Sequence, residues 1–452
     1  MTALNVIYRA PSDLKPAARN PRTHSAKQIG MIAQAIQSFG FNNPILLDGN
    51  DQIIAGHGRV LAALKLGLAL VPTIPLSHLS AAAVRAYIVA DNRLAELAGW
   101  DTEMLAIELG ELVAQDLDFS ITDIGFETAE IDIMLAAPAD AEPDPADTVQ
   151  EPADVATFVR PGDLWLLGEH RLFCGDALDP ATYQALLGPE RAQMMFADPP
   201  YNVKIDGHVS GLGKAAHREF AMASGEMSDS DFTQFLSEAT NIAAEHSEAG
   251  SIHFLCMDWR HLGHLLSAAS GSYSEFKNLC VWVKSNGGMG SLYRSQHELV
   301  AVFKVGSGKH INNVELGRHG RSRTNVWQYP GMNSFQAGRD DALQMHPTVK
   351  PIALVADAIY DCSERGGLIL DPFAGSGTTI LAAERTGRRA RAIELDPRYV
   401  EVSLRRFATE TGIIPMNAAT GVLMPSVAAL GERLTENTLP ARSRKHAGGG
   451  RG

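Results

Sequence analysis

Apolar residues recur at helical spacing across Ala26–Phe39, where Ile29, Ile32, Ala33 and Ile36 fall on one face. Short apolar runs at Pro44–Leu47 and Gln52–Ala55 flank Asp48-Gly49-Asn50-Asp51, a hairpin-type turn. Gly56-His57-Gly58-Arg59 then opens a predicted helix to about Leu66, ahead of a strand at Val71–Ile74 and helices at Ser80–Leu97 and Thr102–Leu117. Periodicity stops at Ala136–Ala156, a stretch of Pro, Ala and acids. Beyond it the pattern becomes strand and helix in alternation. Strands are predicted at Leu164–Leu167, His170–Cys174, Gln193–Ala197, Ser251–Cys256, Asn278–Val283, Leu299–Lys304, Leu368–Leu370 and Arg391–Leu395. Helices are predicted over 229–245, 258–269, from Pro351 to about Ser363, and over Thr378–Thr386. This rhythm indicates an α/β doubly wound sheet, whose ligands gather beyond the carboxyl ends of the strands.

Length and composition then set limits. A chain of 452 residues with 45% hydrophobic content supports two or three domains with ordinary cores. We divide it into an α+β unit at 1–137, a flexible acidic linker at 138–157, a main unit at 158–415 and a disordered tail at 416–452. No window approaches eighteen uninterrupted apolar residues, and the N-terminus lacks a signal pattern, so a cytoplasmic protein without a membrane span is expected. Cys174, Cys256, Cys280 and Cys362 are scattered without a CxxC pair, which suits buried free thiols and gives no metal site. The net charge of −13 argues at first against a nucleic-acid partner. The linker, however, holds six acids and no base, while 277–323 holds eight Lys/Arg and two acids, so a local basic surface remains.

Two motifs at strand ends carry the chemistry. The first is Asp198-Pro199-Pro200-Tyr201. An exocyclic amine is a poor nucleophile because its lone pair is delocalised into the ring. A site that accepts both N–H protons frees that lone pair, and Asp198 and the Pro199 carbonyl, held by consecutive prolines, are suitable acceptors. Tyr201 offers a stacking face for an extruded base. The second motif is Asp371-Pro372-Phe373-Ala374-Gly375-Ser376-Gly377-Thr378-Thr379, a strand-turn-helix glycine loop. Its glycines admit a ligand close to the backbone at a helix start. No basic residue follows as in a P-loop, and Glu394 at the end of the next strand suits paired ribose hydroxyls. A Rossmann dehydrogenase shares the last two features but gives Asp198–Tyr201 no role.

With the catalytic motif preceding the cofactor loop, roughly 158–410 resembles the circularly permuted beta group of DNA adenine-N6 and cytosine-N4 methyltransferases. The resemblance implies S-adenosylmethionine as cofactor, with Asp371 near its amino-acid end and Glu394 on the ribose. Asp176 resembles the acid that accepts from the adenine amine, and Lys350-Pro351 resembles a segment enclosing the methionine portion. It implies methylation of double-stranded DNA, and Asp198 as first motif residue leans toward adenine over cytosine. Cytosine-C5 enzymes need a Pro-Cys nucleophile that is absent here. Protein-glutamine methyltransferases typically begin their motif with Asn and carry the loop upstream. The stretch 306–344 lies where permuted enzymes carry target recognition; Arg318, Arg321 and Arg323 there suit phosphates or guanine edges, and Trp327 and Tyr329 suit stacking. Lys204, Lys214 and Arg218, expected to contact DNA, follow the catalytic motif in a Gly-rich stretch, 202–225, able to close over the base.

Roughly 5–95 resembles the ParB/sulfiredoxin-like domain, in which the turn at Gly56, Gly58 and Arg59 contacts a nucleotide phosphate. His57 departs from the acidic residue of the nucleotide-hydrolysing members. The competing reading is a ParB-like partition clamp with a silent methyltransferase half. Oligomerisation is compatible with either.

Overall fold

In the computed structural model the described residues are 4–97, 99–113, 115, 117–135, 144–149, 157–202, 226–284, 292–314, 323–329 and 349–426. The chain forms two units, 1–138 and 139–452. The first contains β1 (Ile7–Arg9), α1 (Ala26–Phe39), β2 (Ile45–Leu47), β3 (Ile53–Ala55), α2 (His57–Leu66), β4 (Val71–Pro75), α3 (Ala81–Leu97), α4 (Thr102–Val113) and α5 (Thr128–Leu135). Ser25 caps α1 by accepting the Gln28 N–H. Asp48 closes the β2–β3 turn by accepting from the Asn50 and Gln52 N–H groups. The sheet order is β1-β4-β2-β3, with β2 and β4 parallel. Ile45, Leu47, Ile53, Val60 and Val71 form its small core. The hairpin and α2 follow the predicted boundaries closely; α4 stops at Val113, short of the expected Leu117, and β1 and α5 are additional.

The second unit begins with the hairpin β5 (Leu164–Leu167) and β6 (His170–Cys174), then α6 (Pro180–Leu187), β7 (Ala192–Ala197), α7 (Asp229–Glu245), β8 (Ser247–Met257) and α8 (Leu262–Ala269). It continues through β9 (Glu275–Val283), β10 (His297–Lys304), β11 (Val326–Gln328), α9 (Ile352–Cys362), β12 (Leu368–Asp371), α10 (Thr378–Thr386), β13 (Arg389–Glu394), α11 (Pro397–Thr411) and β14 (Met416–Asn417). One sheet of order β11-β9-β10-β8-β7-β12-β13-β6-β5-β14 results. Strands β8, β7, β12, β13 and β6 are parallel, while β10 runs against both neighbours. Side chains alternate between two cores: Met194 and Phe196 of β7 join α9, α10 and α11 on one face, and Met195 and Ala197 join α6, α7 and α8 on the other. This is a doubly wound α/β sheet, with helices covering both faces.

Two expectations change at its ends. The acidic segment is not wholly a self-repelling linker: within it, 144–149 packs on the second unit, because Asp144 pairs with Arg385 and the Asp147 carboxylate accepts the Ile352 N–H. The first residues of the expected disordered tail are ordered, since β14 adds to β5; those after Ser426 lie outside the described residues. Among the described residues, no helix is long and apolar enough to cross a membrane, and no cluster of three or more His, Cys, Asp or Glu is arranged to hold a metal.

Candidate active site

Four adjacent parallel strands deliver carboxylates to one edge of the sheet: β7 leads into Asp198, β12 ends in Asp371, β13 ends in Glu394, and β6 leads into Asp176. A cavity of about 180 Å³ opens there. Its lining includes Asp198, Pro199, Pro200 and Tyr201 together with Asp176, Lys350, Asp371, Pro372, Phe373, Ala374, Gly375, Ser376, Thr378, Thr379 and Glu394. Both motifs therefore face one space. Gly377 is not on the lining. A Cβ at Gly377 would lie 2.9 Å from Ser403, so it serves close packing of the loop on α11, whereas a Cβ at Gly375 would meet nothing within 4 Å. Both have left-handed backbones, with φ of 52° at Gly375 and 81° at Gly377, which a side chain there would strain.

Glu394 braces that loop. Its carboxylate accepts the Gly375 and Asp396 N–H groups, each at 2.8 Å. Burial nevertheless dominates and pushes its pKa up to about 7. Asp371 accepts the Phe373 N–H at 3.0 Å and a bond from the Thr379 hydroxyl, and burial likewise raises it to about 7. Asp176 accepts the Leu178 N–H at 2.8 Å.

Around Asp198 the structure assembles a network that the motif alone did not disclose. Tyr201 donates its hydroxyl to Asp198 Oδ1 at 2.6 Å, and the Lys350 ammonium lies 2.5 Å from Oδ2. Lys350 also meets Glu298 at 3.0 Å, and Lys284 pairs with the other Glu298 oxygen. Glu298 reaches the site because β10 is antiparallel, so its first residues lie where the parallel strands end. Burial alone would lower the Lys350 pKa, but the charges of Asp198 and Glu298 outweigh it and hold the ammonium protonated. Conversely, burial would raise Glu298, and the two lysines hold it well below the usual carboxylate range. Just beyond, Asn202 has a left-handed backbone (φ 54°) and bonds both the N–H and the carbonyl of Met227. These two bonds bring Asn202 and Met227 together just after Tyr201.

Of the residues expected to contact DNA, Lys204, Lys214, Arg218, Arg318 and Arg321 lie outside the described residues. Arg323 is corrected. Its guanidinium is paired with Asp357 at 2.6 Å and Asp361 at 2.9 Å, and lies 5.2 Å from the centre of the Trp327 ring. Trp327 is buried against Phe254, and the Tyr329 hydroxyl bonds Asp357, so neither serves as an exposed stacking platform. In the first unit, Gly56 precedes α2, and Arg59 turns back to the Pro44 carbonyl at 3.3 Å. His57 is used by the fold: its Nε2 accepts the Ala17 N–H.

The lining sets five carboxylates, Asp176, Asp198, Asp371, Glu394 and Asp396, against one basic side chain, Lys350. Such a field favours a ligand carrying positive charge and hydroxyl or amino donors, and opposes a pyrophosphate. A sulfonium nucleoside with an amino-acid end fits that donor set.

Residues 192–405 match the N6/N4 DNA methylase family, and 103–161 match the ParB-methyltransferase HTH domain. The chain is 47% identical over 77 residues to the ParB-like nuclease domain-containing protein YnaK of Escherichia coli (strain K12), spanning 17% of this chain and 88% of that protein. It is 27% identical over 245 residues to the DNA adenine methyltransferase YhdJ of the same organism, spanning 48% of this chain and 76% of YhdJ. A solved PvuII DNA methyltransferase, cytosine-N4-specific, is similar with a TM-score of 0.40 and 17% identity, over 52% of this chain and 85% of that one.

Proposed function

Because this chain belongs to the N6/N4 DNA methylase family and carries a ParB-like domain ahead of the methylase, we propose that it methylates adenine N6 in double-stranded DNA, using S-adenosylmethionine. The observation that carries this reading is the single cavity shared by Asp198–Tyr201 and the glycine loop. It brings an amine-binding carboxylate and a cation-favouring cofactor bed within one enclosure. S-adenosylmethionine supplies an electrophilic methyl group on a positively charged sulfur.

The chain's residues do the rest. Asp198 would accept an N–H of the target amine, turning the nitrogen lone pair toward the cofactor side of the cavity, and would take up the proton that the amine gives up on methylation. The Pro199 carbonyl is the second acceptor. Tyr201, Lys350 and Glu298 fix the Asp198 carboxylate in position. Glu394 shapes the loop through Gly375 and accepts from the ribose, while Asp371 faces the cofactor's amino-acid end and Asp176 its adenine. Reaching a base in a duplex requires extruding it from the stack. Adenine rather than cytosine rests on Asp198 as the first motif residue, where cytosine-N4 relatives more often carry Ser. The ParB-like domain is assigned a positioning role on DNA, with Gly56, Gly58 and Arg59 as a nucleotide phosphate site.

Expression in a methylation-free bacterial host, followed by nucleoside mass spectrometry of its DNA, tests the reading. N6-methyladenine is expected. N4-methylcytosine would overturn the base but not the mechanism, and unmodified DNA with methylated RNA or protein would overturn the substrate class.

A further inference from the structure

Residues 144–149 are the first described segment of the second unit, and none of them lines the cavity. Ala146, Asp147 and Val149 are buried, with Val149 packed beside Val349 and Val402. Asp147 Oδ1 accepts the Ile352 N–H at 2.8 Å and so caps α9, whose own N-cap residue, Pro351, makes no side-chain capping bond. The central link is Arg406 of α11. Its Nε donates to the Ala146 carbonyl at 2.9 Å. Its Nη1 lies 3.1 Å from the Ser376 carbonyl, 3.3 Å from Ser376 Oγ and 2.9 Å from Thr378 Oγ1. One guanidinium thus ties the segment to the glycine loop. One carboxylate ties the same segment to the helix that starts just after Lys350. Apolar burial of Ala146 and Val149 would anchor the segment by itself. A buried guanidinium is costly unless its N–H groups are used; here Nε and Nη1 bridge two elements, while Nη2 has no hydrogen-bond partner among the described residues.

We infer that residues 144–149 and Arg406 position the glycine loop, so that cofactor affinity depends on this segment being seated. The inference rests on reading that loop as the cofactor site. Arg406 is a positioning residue, since it acts on the ligand bed through Ser376 and Thr378. Coupling of this kind is reciprocal: a ligand that prefers the seated form also holds the segment in place. The segment is also the stretch by which the chain enters from the first unit, which gives that unit a covalent route to the loop.

The test uses the full-length protein. Hydrogen exchange of peptides spanning 144–149 is measured with and without saturating S-adenosylmethionine, and calorimetry follows its binding to the unaltered protein, Arg406→Gln, Asp147→Ala and the double variant. Addition of S-adenosylmethionine should slow exchange in 144–149. Arg406→Gln should weaken binding about tenfold, with turnover at saturating S-adenosylmethionine retained, and Arg406→Lys should recover part of the loss. The double variant should lose less than the product of the two single effects, because both act through one seat. If Arg406→Gln does not fold, the exchange data and Asp147→Ala decide. Exchange indifferent to ligand, together with normal binding by the variants, sinks this inference alone. Failure of the unaltered protein to bind S-adenosylmethionine sinks the cofactor reading, and this inference with it.

Discussion

The Lys350 ammonium sits 2.5 Å from Asp198 Oδ2, at an oxygen that the proposed reaction needs as an acceptor for the target amine. Resemblance had placed Lys350 at the methionine end of the cofactor. It lines the same cavity, yet its direct partners are Asp198 and Glu298. An ionised carboxylate has roughly four lone-pair directions, so Asp198 can hold Tyr201, Lys350 and an incoming N–H together. The same cation, together with Lys284, holds Glu298 well below the usual carboxylate range.

Replacing Lys350 with Met should therefore raise the Glu298 pKa and take from Asp198 one of the two partners that orient its carboxylate. Turnover should fall by about 10–100-fold, since the acceptor is less well oriented, while cofactor affinity changes little. Lys350→Arg should restore part of the rate. Turnover at saturating DNA and cofactor, measured beside calorimetry of cofactor binding, checks this; unchanged turnover with collapsed cofactor affinity would return Lys350 to the cofactor.

Asp198→Ala should leave cofactor binding nearly intact and cost about two orders of magnitude or more in rate, as expected for a preorganised acceptor. Single-turnover rates and calorimetry separate the two effects. A modest rate loss with an equal loss of affinity would refute the role.

How much of this was readable differs by residue. Asp198, Asp371 and Glu394 were legible because each follows an apolar strand, and strand ends in a doubly wound sheet share one edge. The glycine loop announced itself through local backbone geometry. Glu298 was not found, though a lone acid opening an apolar strand in a basic stretch was a usable signal; its reach depends on β10 being antiparallel, which local patterning does not encode. Arg323 was misassigned because basic and aromatic composition looks alike on a DNA surface and in a buried ion pair. The clue lay in Asp357 and Asp361, four residues apart on one face of α9. Likewise the acids of 144–149 looked self-repelling until Arg385 and Arg406, far along the chain, were brought beside them.

Cofactor binding should strengthen as pH rises through about 7. Glu394 and Asp371 are each raised to about 7 by burial, so below that pH they are largely protonated. A cationic sulfonium prefers their ionised forms, and its binding must release protons. Calorimetry in buffers of differing ionisation enthalpy should detect that release near pH 6.5. Glu394→Gln should weaken binding by about 1.5–3 kcal/mol and flatten the pH dependence. Affinity independent of pH from 6 to 8 in the unaltered protein would mean that neither carboxylate faces the cofactor's charge.

Arg323→Met should damage the fold rather than DNA binding. The guanidinium is mostly buried, pairs with Asp357 and Asp361, and touches Tyr329, and these charges hold its pKa above the ordinary value against the opposing effect of burial. Removing it breaks the pairing with both carboxylates, which lie one turn apart on α9, a loss of about 3–5 kcal/mol for a broken buried pair. Urea unfolding should show that loss, while the salt dependence of DNA binding by the remaining folded protein should match the unaltered chain. Retained stability with a salt slope reduced by about one would instead mean that Arg323 leaves its acids to neutralise a phosphate.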